Sequence, residues 1–131
     1  MAYSIYLVDD DRFLIDLYAV KFKNAGHTVT AFSGGEELIA TLRKGGAQPN
    51  AILLDIIMPG MDGFTTLETV RKEKLLTDTK VIILSNQGQE SDIEKARALG
   101  VAGYIVKASA IPSEVLSETL RIIESGAPSH A

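Results

Sequence analysis

No cysteine occurs among the 131 residues, which excludes disulfides, thiolate metal sites and cysteine nucleophiles and is compatible with a reducing compartment. Long apolar runs are missing too. The longest, Ala51 to Leu54 and Val81 to Leu84, fall far short of the ~20 residues that a membrane-spanning helix needs. There is no surplus of cations: 17 acids against 13 bases leave a net charge of -4, so direct binding to nucleic acid is not expected. Met1-Ala2-Tyr3-Ser4 lacks the basic start of a secretory signal and runs almost at once into Asp9, Asp10 and Asp11. No G-x-x-x-x-G-K-[ST] run is present for phosphate-loop chemistry, and no internal repeat or low-complexity block interrupts the chain. What remains is 46% hydrophobic, enough for one ordinary core that buries roughly 65–70% of the unfolded surface. The expectation is one soluble, cytoplasmic domain over residues 1–125, followed by a short polar tail, 126–131.

Four apolar segments end at a polar residue: Ile5 to Val8 before Asp9, Ala51 to Leu54 before Asp55, Val81 to Leu84 before Ser85, and Tyr104 to Val106 before Lys107. Continuous apolar runs of this length suit parallel strands covered on both faces. His27 to Phe32, with β-branched Thr28, Val29 and Thr30, adds a weaker fifth strand. Helical patterns lie between them. Arg12 to Ala25 places Leu14, Leu17, Tyr18 and Phe22 on one stripe, with a stop at Gly26. Ser33 and Glu36 read as a capping box for a second helix, Asp62 as the cap of a third over Gly63 to Glu73, and Ser91 with Glu94 as the capping box of a fourth. Pro112 suits the first turn of a fifth helix, in which Leu116, Leu120 and Ile123 line one face. Strict alternation implies an α/β fold with right-handed crossovers and helices on both faces of a parallel sheet.

In such a sheet ligands gather outside the carboxyl ends of the strands, which is where Asp9, Asp10, Asp55, Ser85 and Lys107 stand. Carboxylates brought within several ångströms repel by about 4 kcal/mol per close pair at an effective dielectric near 20. A hard divalent cation relieves that repulsion with oxygen ligands. Asp10 and Asp55 are the natural direct ligands, Asp9 a direct or water-mediated one, and the backbone carbonyl of Ile57 a further oxygen. Lys107 supplies a compact cation able to meet both Asp55 and an incoming anion, and Ser85 a hydroxyl donor. A carboxylate held among a metal, an ammonium and a hydroxyl is arranged to take up a phosphoryl group.

Val8-Asp9-Asp10, the run Leu54-Asp55-Ile56-Ile57-Met58-Pro59-Gly60-Met61-Asp62-Gly63, Leu84-Ser85-Asn86 and Tyr104-Ile105-Val106-Lys107 resemble the receiver domain of bacterial two-component response regulators over about Tyr3 to Ser125. The resemblance implies a doubly wound, flavodoxin-like sheet of five parallel strands in the order 2-1-3-4-5 with five helices. It implies that Asp55 accepts a phosphoryl group from a sensor histidine kinase or a histidine phosphotransfer protein, or from acetyl phosphate, with Mg²⁺ (or Mn²⁺) as cofactor. By the same resemblance Ser85 and Tyr104 are switch residues, Ile57 and Gln87 line the route of the attacking water, and the fourth helix, fifth strand and fifth helix form the output surface. The chain would be a phosphorylation-dependent switch that promotes its own phosphorylation and hydrolysis, not an enzyme on a separate metabolite. It would work as a monomer or a phosphorylation-dependent dimer towards an unknown downstream target or a fused output domain.

Two rivals accompany this reading. A phosphate-independent receiver-like scaffold or dimerisation module would not need the acid set. An aspartyl phosphatase of another α/β family commonly needs a second acid two residues beyond its nucleophile, where this chain has Ile57. The family's usual proline after the active-site lysine is replaced by Ala108. A cis bond there would cost ~2.5–4 kcal/mol, so a trans bond with an altered loop or a strained exception is expected. The Asp9-Asp10-Asp11 triplet leaves a one-residue ambiguity, settled by assigning Asp9 and Asp10 to the metal and Asp11 to the helix start. The surplus apolar residues of the first helix, Phe13, Ile15 and Val20, suit either a partner surface or ordinary packing. No chemistry is assigned to His27 or His130.

Overall fold

The computed structural model describes residues 2–125. Strands and helices alternate without exception: β1 Ser4–Val8, α1 Arg12–Asn24, β2 Thr28–Phe32, α2 Gly35–Arg43, β3 Ala51–Leu54, α3 Gly63–Lys72, β4 Lys80–Ser85, α4 Glu90–Ala98, β5 Gly103–Val106 and α5 Pro112–Glu124, with a 3-10 turn at Lys107–Ser109. All four strand pairings are parallel and the order is β2-β1-β3-β4-β5, as expected. The sheet grows outward from β1 in both directions, so a crevice opens at the carboxyl ends of β1 and β3. The predicted tail, 126–131, and His130 lie outside the described residues.

Side chains alternate across each strand, and both faces of the central strands β1, β3 and β4 are covered. Ile5, Leu7, Ala51, Leu53, Ile82, Leu84 and Ile105 pack under α1 and α5. Val8, Ile52, Leu54, Val81 and Ile83 pack under α2, α3 and α4. This explains the unbroken apolar runs, since neither parity faces water.

Local patterns differ from expectation in four places, one of them α5, whose buried residues are Val115, Thr119 and Ile122 while Leu116, Leu120 and Ile123 are half-buried. On α1 the buried row is Ile15, Tyr18 and Phe22, whereas Leu17 is 43% exposed and shares an outward row with Phe13 at 75% and Val20 at 57%. The apolar residues outnumber one stripe, so the sheet selects which row is covered. The Ser33–Glu36 capping box does not form: Gly34 is the N-cap, and the N–H and hydroxyl of Ser33 both donate to Glu37, at 2.6 Å each. Nor does Ser91 cap α4, which begins a residue earlier behind Gln89 with no side-chain cap. Other signals hold. Asp11 accepts from the N–H groups of Phe13 and Leu14, Asp62 accepts from Thr65, and Pro112 opens α5. His27 is buried, where its Nδ1 accepts the Tyr3 N–H at 3.0 Å and its ring stacks on Tyr3.

The start of α3 is bolted to the end of β3. The Gly63 N–H donates to the Ile56 carbonyl at 2.7 Å, and a Cβ at position 63 would stand 2.1 Å from the Asp55 carbonyl oxygen and 2.8 Å from Ile56 Cα. Backbone on both sides cannot yield cheaply. Gly63→Ala is therefore expected to destabilise the domain by about 2 kcal/mol, seen as a lower urea midpoint at unchanged slope. An unshifted midpoint would mean that this joint is loose.

Candidate functional site

Register brings the acids together. Leu7 pairs with Leu53, and one more step of two along each strand reaches Asp9 and Asp55, which keep the same parity on adjacent strands. The ladder continues to them: Asp9 N–H donates to the Phe32 carbonyl at 3.1 Å and Asp55 N–H to the Val8 carbonyl at 3.0 Å. Lys107 follows Ile105 by the same step from the sheet edge. Its Nζ lies 2.6 Å from Asp9 Oδ2 and 3.3 Å from Asp55 Oδ2.

Asp9, Asp10, Asp11, Asp55, Ile57, Ser85, Asn86, Gln87 and Lys107 line a single pocket of about 320 Å³. A larger cleft of about 470 Å³ runs between β5 and α5 past Tyr104, but no comparable set of acids converges on it. Both Asp9 and Asp55 are 6% exposed. The Asp9 carboxylate also accepts the Asp11 N–H at 2.9 Å, and the Asp55 carboxylate accepts the Ile56 N–H at 2.8 Å. Asp10 is exposed. Carboxylate oxygens of Asp9, Asp10 and Asp55 all lie within 4.8 Å of one another. Three such groups against one ammonium leave two negative charges uncompensated, and an oxygen-only donor set of that charge fits a hard divalent cation.

Burial, then the Asp9 charge, pushes the Asp55 pKa above the usual aspartate value, against the pull of Lys107 and of the Ser85 hydroxyl. Burial opposes the Lys107 ammonium, yet the Asp9 hydrogen bond and the Asp55 charge outweigh it and hold its pKa above the lysine norm. The 3-10 turn after β5 starts at Lys107, and the Lys107–Ala108 bond is trans, one of the two arrangements expected.

The remaining predicted residues sit around this centre. Ser85 is the last residue of β4 and is buried; its Oγ accepts the Gln87 N–H at 3.2 Å. Tyr104 lies outside the pocket lining, but its hydroxyl donates to the Gln87 carbonyl and so touches the same β4–α4 loop. Asn86 and Leu14 line the pocket without having been singled out. Asn86 stands out in the sequence only as the neighbour of Ser85, and the apolar spacing of α1 places Leu14 with the core.

Residues 5–120 match the response regulator receiver domain family. The chain belongs to that family. Receiver domains are the phosphorylation-dependent signalling switches of two-component systems, they bind Mg²⁺, and they are not enzymes in the usual sense. This receiver is 29% identical over 124 residues to the transcriptional regulatory protein CssR of Bacillus subtilis, covering 95% of this chain and 52% of that protein. It is 27% identical to protein PilH of Pseudomonas aeruginosa, covering 93% of this chain and 98% of that one. It thus spans about half the length of the first of these relatives and nearly all of the second. Among solved structures, the Vibrio cholerae chemotaxis protein CheY4 shares the fold, with a TM-score of 0.82 at 24% identity, over 93% of this chain and 99% of that one. Among the described residues, no helix is long and apolar enough to cross a membrane.

The raised pKa of Asp55 has a consequence for stability. A carboxyl whose folded pKa exceeds its unfolded one binds protons more readily in the native state, so stability falls as pH rises from the unfolded to the folded value and then levels off. Asp55→Asn in the presence of a chelator is expected to raise stability at pH 7 by about 1 kcal/mol. The gain should fade as the pH falls through the folded pKa of Asp55 and be absent below the usual aspartate range. Urea titrations of both proteins across that window measure it; a pH-independent difference would contradict the electrostatic cause.

Proposed function

We propose that Asp55 is the phosphoacceptor of this receiver. The observation that carries the proposal is a buried carboxylate on the sheet's switch point, within 3.3 Å of a lysine ammonium and beside two further acids. An Asp55 carboxylate oxygen attacks the phosphorus of a phosphohistidine. A P–O bond forms as the P–N bond breaks, and the electron pair of that bond returns to the imidazole nitrogen. Such a transfer is helped more by in-line placement and charge neutralisation than by a strong base. Lys107 meets a phosphoryl oxygen as it leaves Asp55, Ser85 donates its hydroxyl to another, and Ile57 and Gln87 border the path by which water later reaches the phosphorus. Asp9, Asp10, Asp55 and the Ile57 carbonyl would hold Mg²⁺ or Mn²⁺. When bound, such an ion supplies positive charge to the phosphoryl oxygens.

The added charge of a phosphoryl group draws Ser85 inward, and Tyr104 follows because both contact the residues of one loop. The output then changes on α4, β5 and α5. The donor is a sensor histidine kinase or a histidine phosphotransfer protein, acting in the cytoplasm. The outward row of Phe13, Leu17 and Val20, with Ile57 exposed at the pocket, offers it apolar surface beside the site. Downstream lies a separate target or a fused output domain, with the receiver as a monomer or a phosphorylation-dependent dimer. The acid, serine and lysine set is complete, so nothing favours a phosphate-independent scaffold.

Intact-mass analysis after incubation with acetyl phosphate and Mg²⁺ tests this reading. We expect a gain of one phosphoryl group, lost with Asp55→Asn and with a chelator, and strongly reduced in rate with Lys107→Ala. Uptake that survives Asp55→Asn would assign the acceptor elsewhere.

A further inference from the structure

The two ends of α4 are held by different means. At its C-terminal end several of the carbonyls left over by the helix find partners. Gly100, at φ 78°, donates to Arg97 O at 2.9 Å and Val101 donates to Ala96 O at 3.4 Å, a left-handed closing turn. The carbonyls of Leu99 and Gly100, just past the last residue of the helix, each accept from the guanidinium of Arg71 on α3, both at 2.9 Å. Arg71 is half-buried, and among the described residues no carboxylate pairs with it; its partners are the negative end of a helix. Ala96, the one fully buried residue of α4, lies in this same half. One residue earlier, Lys95 Nζ stands 4.7 Å from the centre of the Phe64 ring of α3.

The N-terminal end lacks comparable anchors. Its N-cap, Gln89, makes no side-chain cap bond. The loop before it is tied by the Gln87 N–H to Ser85 Oγ and by the Tyr104 hydroxyl to the Gln87 carbonyl. Both of those ties run to the residues proposed to move when Asp55 is modified.

We infer that α4 turns on a fixed hinge at its C-terminal end, with Arg71 of α3 as the positioning residue that holds the hinge. This rests on the phosphoacceptor reading of Asp55 and adds a fixed point to the moving surface. Modification at Asp55 re-sets the Ser85 and Tyr104 ties and swings the N-terminal turn of α4. Meanwhile Arg71 keeps residues 96–100 against α3, which is itself joined to β3 through Gly63. Without the guanidinium fork the same event would displace or fray the whole helix, and the switch would lose direction rather than simply lose stability.

Amide hydrogen exchange in the full chain, with and without Mg²⁺ and beryllofluoride as a phosphoryl stand-in on Asp55, measures this. In the unaltered protein we expect the exchange of residues 86–93 to change at least about fivefold on addition while that of 96–101 changes by less than about twofold. In Arg71→Met the 96–101 amides should exchange about tenfold faster without beryllofluoride, and the induced change should spread through them. Arg71→Lys, which keeps the charge and loses the fork, should fall between. Phosphoryl uptake from acetyl phosphate should persist in both variants, since Arg71 is remote from the pocket. An even response along α4 in the unaltered protein, or unaltered protection of 96–101 in a folded Arg71→Met, would overturn the hinge and leave the acceptor standing. No beryllofluoride response anywhere, together with no phosphoryl uptake, would overturn both. The unaltered protein and Arg71→Lys decide the matter should Arg71→Met fail to fold.

Discussion

Three carboxylates and one ammonium meet at the carboxyl ends of β1, β3 and β5, and their unequal number governs the electrostatics of the site. Lys107 is shared unevenly, closer to Asp9 than to Asp55, so in the absence of a cation the proposed acceptor is the less compensated of the two buried acids. Burial first and the Asp9 charge second raise its pKa, and the more distant Lys107 offsets this only in part. A carboxylate kept short of positive charge gains more than an ordinary surface aspartate from an incoming cation. The proposed chemistry and the energetic burden on the fold thus share one origin.

The scaffold around that cluster is built to keep it in place. Both faces of the central strands are sealed, the acids stand on adjacent strands in one register, and α3 starts with a glycine because the end of β3 leaves no room for a side chain. Movement is reserved for the other side of the pocket. The β4–α4 loop is fastened by a few hydrogen bonds to Ser85 and Tyr104, whereas the far end of α4 is fastened to α3 by a guanidinium fork. A rigid reactive centre next to a lightly tied loop is what a switch of limited travel requires.

Much of this was legible beforehand, and the reasons differ from residue to residue. Apolar runs that stop at a polar residue marked the ends of β1, β3, β4 and β5, because a buried strand has little other reason to carry a polar side chain. Asp62 and Asp11 were readable as caps because short side chains before a helix satisfy its free amides locally. Ser33 and Ser91 carried the same local signal and did not act on it. Glu37 reached Ser33 from one residue further along, and α4 began before Ser91 could serve. The Leu17 assignment failed for a similar reason: α1 offers apolar residues on more than one row, and only the sheet determines which is covered.

Arg71 carried no such signal. As a basic residue near a helix end it looked like any solvated side chain, and its partners are two carbonyls 28 and 29 positions away. Composition, alternation and the order of the polar stops determined the fold class, the strand-end acids and the lysine, since these follow from periodicity and from charge placed where burial forbids it. The tertiary structure alone decided which row of α1 meets the sheet, how Lys107 divides itself between two aspartates, and what fastens the end of α4. Each of those depends on distances between segments far apart along the chain, which local patterning does not encode.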